Sequence, residues 1–351
     1  MALNLSRRSF AAGLAAMPLA GSVAAQGTPE ASPASIELVE IPPVTVPDGA
    51  LEVKIGFLPI LIYAPMYVAL EKGYYAERGL DVKISPMNSG TDLAVMVSTN
   101  ELQVALSGVG PAFWNGIATE LPLNIIAPGH EEGNPGATPL MVGANSDVTS
   151  VDQLAGKKVS VNAPGATEYW LDAALQTGGL TIGDVDLQYL TFPDAVVALG
   201  EGVLDGAMIG EPLATKAVQD GTARILSNDF DVTGMQVTAV FANNDWLDEN
   251  NDAAVEFVAA YLMACRDMMD APNDPLNLAI INKYTSIPVD LIAASSRPIY
   301  QENGAVNADT LVTLQEFFAA RDLMTLEDPV DPTTVIRQDV IDAAVESIGA
   351  R

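Results

Sequence analysis

The stretch Asp92–Pro111, DLAVMVSTNELQVALSGVGP, has a counterpart at Asp194–Pro212, DAVVALGEGVLDGAMIGEP. At an offset of 102 positions, Asp92, Val95, Leu102, Ala105 and Gly108 meet Asp194, Val197, Leu204, Ala207 and Gly210. Each copy starts with apolar residues at helical spacing and passes into a brief strand of small and aliphatic residues, VALSG and GAMIG. Each strand ends in a glycine with a proline two or three residues on, which forces an irregular loop. A helix, a strand and a loop at the strand's carboxyl end make the site-bearing unit of an open α/β sheet. Two such units predict two similar lobes whose loops face one cleft.

Outward from the two copies the chain keeps the same rhythm. Strands are expected at Val53–Leu58, Val82–Ser85, Val104–Ser107, Leu123–Ala127 and Leu140–Ala144, with helices over Tyr63–Arg78, Thr91–Asn100 and Pro111–Thr119. Lys158–Val161, Thr167–Thr177, Asp186–Leu190, Asp194–Glu201 and Ala207–Ile209 repeat the alternation. Gln236–Ala242 returns to the first sheet, and from Ala253 the chain reads as helices, over Ala253–Asp270, Thr310–Arg321 and Pro332–Ile348. Alternation of this kind predicts an α/β fold with mostly parallel sheets flanked by helices. The expected organisation is a first lobe of residues 51–144 plus 236–351 and a second of 145–235. Two inter-lobe crossings near 145–150 and 229–235 would serve as the hinge.

The run from Leu51 carries more specific marks: Gly56-Phe57-Leu58-Pro59, Ala64-Pro65, Ala69-Leu70-Glu71-Lys72-Gly73-Tyr74-Tyr75 and Gly79-Leu80-Asp81-Val82. Val151–Val159, Asn162–Thr167, Leu204-Asp205-Gly206-Ala207 and Glu211-Pro212 follow in order. This series resembles the periplasmic solute-binding proteins of ABC importers, in the branch that serves nitrate, sulfonate, taurine and thiamine-pyrimidine precursors. The resemblance covers Leu51 to Tyr261 well and the C-terminal helices loosely. It implies a two-lobed, type II-like binding-protein fold, with the C-terminal helices packed on the first lobe. It also implies a small ligand captured by lobe closure, and a membrane permease with its ATPase as partner.

Ser6-Arg7-Arg8-Ser9-Phe10, an Ala-rich segment and Val23-Ala24-Ala25 read as a twin-arginine export signal over residues 1–25. Ala11 and Ala12 stand where that route prefers Leu and Lys, so the general secretory route stays open. No cysteine follows the apolar run, so a bacterial lipid anchor is not expected. Residues 26–50 are Pro-rich and predicted to be a disordered, partly extended spacer.

The full chain has 351 residues and a net charge of −29. Without Met1–Ala25 it carries 14 basic against 45 acidic residues, or −31. Self-repulsion on that scale favours a monomer and opposes nucleic acid and anionic lipid surfaces. One histidine and one cysteine make zinc, haem and iron–sulfur sites implausible, so no metal or cofactor is expected. No phosphate loop, nucleophile elbow or calcium loop occurs. The cysteine-rich motif of pyrimidine-synthesising relatives is missing too, so an enzyme is the less favoured alternative.

What remains are loops after strand ends. Their candidate ligand-binding residues are Pro59, Tyr63, Asn88, Gly90, Thr91, Gly108, Val109 and His130 in the first lobe, with Asn162, Gly165, Thr167 and Glu211 in the second. Pro, Gly, Asn and Thr at these positions also suit turns and helix caps, while Tyr63, Phe113, Tyr169 and Trp170 equally suit a core. None of the loops contains Lys or Arg, whereas Asp92, Glu131, Glu132, Glu168 and Glu211 lie in or beside them. Carboxylates and aromatics suit a neutral or weakly cationic heterocycle, such as a pyrimidine vitamin precursor or a flavin-like ring. The alternative is an alkanesulfonate, taurine or nitrate, held by helix N-termini.

Overall fold

The computed structural model describes residue 36 and residues 38–87, 90–326 and 328–351. The export-signal reading of residues 1–25 therefore lies outside the described residues.

Ten strands are described: β1 (Leu51–Phe57), β2 (Leu80–Pro86), β3 (Val104–Gly108), β4 (Leu123–Pro128), β5 (Leu140–Gly143), β6 (Lys158–Val161), β7 (Asp186–Tyr189), β8 (Gly206–Met208), β9 (Ala223–Ser227) and β10 (Thr238–Asn243). They form two five-stranded sheets, β2-β1-β3-β10-β4 and β7-β6-β8-β5-β9. The two orders are the same once β1–β4 are set against β6–β9. In each sheet one strand runs against the other four, β10 in the first and β5 in the second. Each reversed strand is the first after the chain crosses from the other sheet, so both sheets are mixed. The central strands β5 and β10 are buried along their whole length, as a sheet covered on both faces requires.

The quoted repeat falls at equivalent places in separate sheets. Its helices are Gly90–Ser98 and Phe192–Gly200, and its strands are β3 and β8. Leu102 and Leu204, and Ala105 and Ala207, are core residues in both copies. Val95 and Val197 are exposed in both, so the shared valine does not serve the core.

Four expectations need correction, three of them before the C-terminal helices. Leu140–Gly143 was assigned to the first lobe but pairs with β8 and β9. The first crossing is therefore 129–139, not 145–150; a four-residue apolar strand carries no label for the sheet that will accept it. The helix expected over Tyr63–Arg78 breaks into Ala64–Glu71 and Tyr74–Glu77, because Gly73 takes a left-handed φ of 81° between them. Residues 38–50 carry no helix or strand, as a Pro-rich spacer should, yet they are not free. Ile36 and Ile41 pack against the first lobe's core, and the Ile36 N–H donates to Asp290 Oδ1 at 2.9 Å.

The two crossings, 129–139 and 228–237, run side by side. Glu131 bridges Gln236 on one edge and Ile299 on the other. The helix Asn251–Asp270 backs the first sheet and buries Phe257, Tyr261 and Cys265 against it. The helix Ala308–Ala320 departs from the expectation that the C-terminal helices stay on the first lobe. It packs on both Pro111–Ala118 and Ala166–Gln176, and Leu311, Leu314 and Phe318 join a core that runs through both lobes.

Candidate ligand-binding cleft

A cavity of about 760 Å³ lies between the sheets, where the carboxyl ends of β1, β3, β6 and β8 converge. A smaller one, about 560 Å³, sits under residues 40–46 on the first lobe, away from the strand ends. The cleft suits a ligand far better, since open α/β sheets present their loops and helix N-termini there.

Seven of the sequence candidates line this cleft: Tyr63, Gly90, Gly108, His130, Asn162, Thr167 and Glu211. Pro59 does not; it is an exposed turn residue between two lining residues, Leu58 and Ile60. Val109 does not either, because its side chain turns into the core. Gly165 lies behind the lining at the start of the helix Ala166–Gln176, where its left-handed φ of 130° excludes most side chains. Thr91 falls in the helix Gly90–Ser98. Asn88 lies outside the described residues.

Among the described residues, His130 is one of four buried polar residues at the cleft, with Ser107, Glu132 and Thr238. Its backbone N–H donates to Thr238 Oγ1 at 2.8 Å, and its Nδ1 lies 2.8 Å from the same oxygen. With the Thr238 hydroxyl donating to Nδ1, the ring proton sits on Nε2 and faces Glu132; the opposite tautomer would reverse both roles. Gly129 makes this contact possible, since a Cβ there would lie 2.1 Å from Thr238 Oγ1. Nε2 lies 3.9 Å from Glu132 Oε1, and both side chains are almost wholly buried. Glu132 Oε2 accepts the Ala137 N–H at 2.8 Å.

Glu211 behaves differently. Its Oε1 accepts from the Thr215 hydroxyl at 2.9 Å and from the Ser296 N–H at 3.3 Å, and its Oε2 accepts the Thr215 N–H at 3.0 Å. Ser296 belongs to the segment after the helix Val289–Ala294, so this carboxylate ties the second sheet's loop across to the first lobe. The sequence suggested a ligand contact here, but both oxygens are already engaged. In the same way Asn162 Oδ1 takes the Thr167 hydroxyl at 2.7 Å, holding the turn into the helix Ala166–Gln176.

The walls are mainly apolar: Leu58, Ile60, Ala94, Phe113, Trp170, Phe192 and Val237 among them. Burial holds the Tyr63 hydroxyl far above the usual phenol range, so it stays neutral. Among the described residues no Lys or Arg lines the cavity. Arg321, at the end of the helix Ala308–Ala320, is bound instead to the buried Glu168 at 3.2 Å.

Sequence reasoning counted Glu132 only among the acids in or beside the loops, and left Ser107, Thr238 and Ser296 out of the site. Glu132 stands two residues from His130 on an extended segment, and that period of two was the available signal. Thr238 and Ser296 come from segments over a hundred residues away, for which no local pattern existed.

Comparison with known proteins agrees with this architecture. Over 269 residues the chain is 28% identical to the bicarbonate transport ATP-binding protein CmpC of Synechococcus elongatus, matching 70% of this chain and 40% of that protein. The chain thus spans less than half the length of that relative. The riboflavin-binding protein RibY of Chloroflexus aurantiacus is 24% identical over 266 residues, 72% of this chain and 71% of RibY. The solved aliphatic sulphonate binding protein SsuA of Escherichia coli superposes with a TM-score of 0.69 at 20% identity, covering 81% of this chain and 91% of SsuA. The family model described as NMT1/THI5 like matches residues 62–274, well over half of the chain, and the protein belongs to that family.

Proposed function

We propose that this protein is the extracytoplasmic solute-binding component of an ABC importer, which captures a neutral or weakly cationic heterocycle between its lobes and hands it to a membrane permease. The observation that carries the ligand class is the cleft lining, with broad apolar and aromatic walls, two carboxylates and no cation among the described residues. A nitrate or sulfonate needs dense donors or positive charge, whereas a ring needs apolar surface and a few polar anchors. The size also favours a ring, because about 760 Å³ far exceeds what a four-atom anion fills. The importer role is supported by the relatives' printed functions: transport of bicarbonate, and binding of riboflavin or aliphatic sulfonates. Export to the periplasm follows from the same reading.

One feature favours the second reading, an alkanesulfonate. The helices Gly90–Ser98, Pro111–Ala118 and Ala166–Gln176 all begin at the cleft, and the positive end of a helix dipole favours an anion. A melting screen over heterocycles, alkanesulfonates, nitrate and bicarbonate separates the two. Ligand at a hundred times its dissociation constant stabilises by about 2.7 kcal/mol. A shift by heterocycles alone is expected, and a shift by sulfonates alone transfers the function to the second reading. Mass spectrometry of the bound ligand should find it unchanged; a converted product would make the protein an enzyme.

A further inference from the structure

We propose that His130 and Glu132 form a two-point fork that recognises one ring edge: an N–H or amino group beside a carbonyl or an unprotonated ring nitrogen, as in a lactam, an imide or an amino-azine. This rests on the heterocycle reading of the cleft and states which edge of the ring is read. Of the titratable groups lining the cleft, Glu211 has both oxygens engaged by Thr215 and Ser296, and Tyr63 is held as a neutral hydroxyl. Glu132 keeps Oε1 open, since the Ala137 N–H occupies Oε2 and no hydrogen bond from a described residue reaches Oε1. His130 keeps Nε2 open, since Thr238 occupies Nδ1.

The two open atoms are 3.9 Å apart, too far to satisfy each other. Both side chains are about 95% buried or more and line the cavity. Both atoms open onto the cavity, so a ligand that fills it removes their water, and an acceptor then left without a donor, or a donor without an acceptor, is unfavourable. One ligand edge with a donor and an acceptor on neighbouring atoms satisfies both at once: its N–H donates to Oε1 while its carbonyl or ring nitrogen accepts from Nε2–H. A sulfonate or a nitrate offers only acceptors. It could use Nε2–H, but it would set its charge against the Glu132 carboxylate in a poorly solvated site.

Calorimetry on the full chain tests the fork with two matched pairs of probes: riboflavin against 3-methylriboflavin, and 4-aminopyrimidine against 4-dimethylaminopyrimidine. Methylation removes the N–H and leaves the ring. Ethanesulfonate is the acceptor-only control. The loss of one charge-assisted hydrogen bond predicts that methylation weakens binding about ten- to a hundredfold. Glu132→Gln should weaken the unmethylated rings by a similar factor and leave the methylated rings unchanged. Gln can still accept the Ala137 N–H, so the melting temperature of the free protein checks that the fold is intact. Because His130 is the chain's single histidine, its ¹⁵N resonances are read without assignment. They should report the Nε2–H tautomer in the free protein and a shift when an unmethylated ring binds.

Ethanesulfonate binding with no heat from either unmethylated ring overturns the ligand class, and the fork with it. Equal affinity for each ring and its methylated form, with Glu132→Gln neutral, overturns the fork and leaves the ligand class standing. Failure of both unmethylated rings to bind overturns the fork whatever the control does.

Discussion

The two sheets share one strand order but differ in what backs them. Outside the first sheet the core is deep and aromatic: Tyr67, Tyr75, Trp246, Phe257, Tyr261 and Tyr300 pack with the helices Ala64–Glu71, Asn251–Asp270 and Gln338–Ile348. Outside the second sheet the buried cluster has ten residues, six of them alanine, under the short helices Phe192–Gly200 and Leu213–Gln219. Apolar burial stabilises roughly in proportion to area, at about 25 cal/mol per Å², and an alanine methyl contributes little of it. The same topology therefore yields a heavily built lobe and a light one. The light lobe is the part expected to open and shift first. In the cleft, His130 and Glu132 present open atoms from the crossing at the end of β4, Ser107 Oγ and Trp170 Nε1 add one unpaired atom from each lobe, and the second lobe's Glu211 ties its loop to Ser296.

The largest expected effect contrasts the two cores. Phe257→Ala, which removes a ring stacked on Tyr75 at 4.9 Å, should cost about 3–5 kcal/mol in urea unfolding. Leu199→Ala, among alanines in the second lobe, should cost close to about 2 kcal/mol. Hydrogen exchange should show the Phe192–Gly200 and Leu213–Gln219 amides opening at lower energy than those of Asn251–Asp270. Uniform protection across both lobes would break the comparison.

A smaller effect tests Glu211. Its replacement by Ala frees the Ser296 N–H and loosens closure, so affinity should fall about two- to tenfold, the worth of a hydrogen bond of about 0.5–1.5 kcal/mol. The loss should be the same for a ring and its methylated form, and small-angle scattering of the ligand-free variant should show a larger radius of gyration. A loss confined to the unmethylated ring would make Glu211 a ligand contact after all.

The smallest effect concerns Glu131, where the crossings meet. Burial raises its pKa above the ordinary 4.5, while the hydrogen bond from Gln301 Nε2 at 2.7 Å works in the opposite direction. A carboxyl whose pKa is raised by folding stabilises the fold when protonated, and that contribution is lost as pH rises through the folded pKa. Glu131→Gln should therefore raise the melting temperature at neutral pH, with the gain vanishing below pH 4.5. An equal gain at both pH values would assign the effect to something other than ionisation.

Much of the fold was legible because it rests on local pattern. Nine of the ten strands, all except Ala223–Ser227, were expected from short apolar runs and lie within two residues of the expected bounds. The repeat located two equivalent units because Leu102/Leu204 and Ala105/Ala207 answer the same packing demand in each sheet. The helices Leu213–Gln219 and Pro275–Thr285 were not individually foreseen, since their apolar faces are short or spread around the helix. In the cleft, glycines and turn residues at strand ends were readable in advance. What each carboxylate does was not.

The sequence by itself determined the two-unit α/β plan, the absence of cations from the strand-end loops it picked out, and the family. Each of these depends on which residues stand near one another along the chain. Only the tertiary structure decided the sheet that Leu140–Gly143 joins, the anchoring of Glu211 by Ser296, and the Thr238 contact that leaves Nε2 of His130 facing Glu132. These depend on partners up to 108 residues apart, and a hydrogen bond is set by distance in space rather than along the chain.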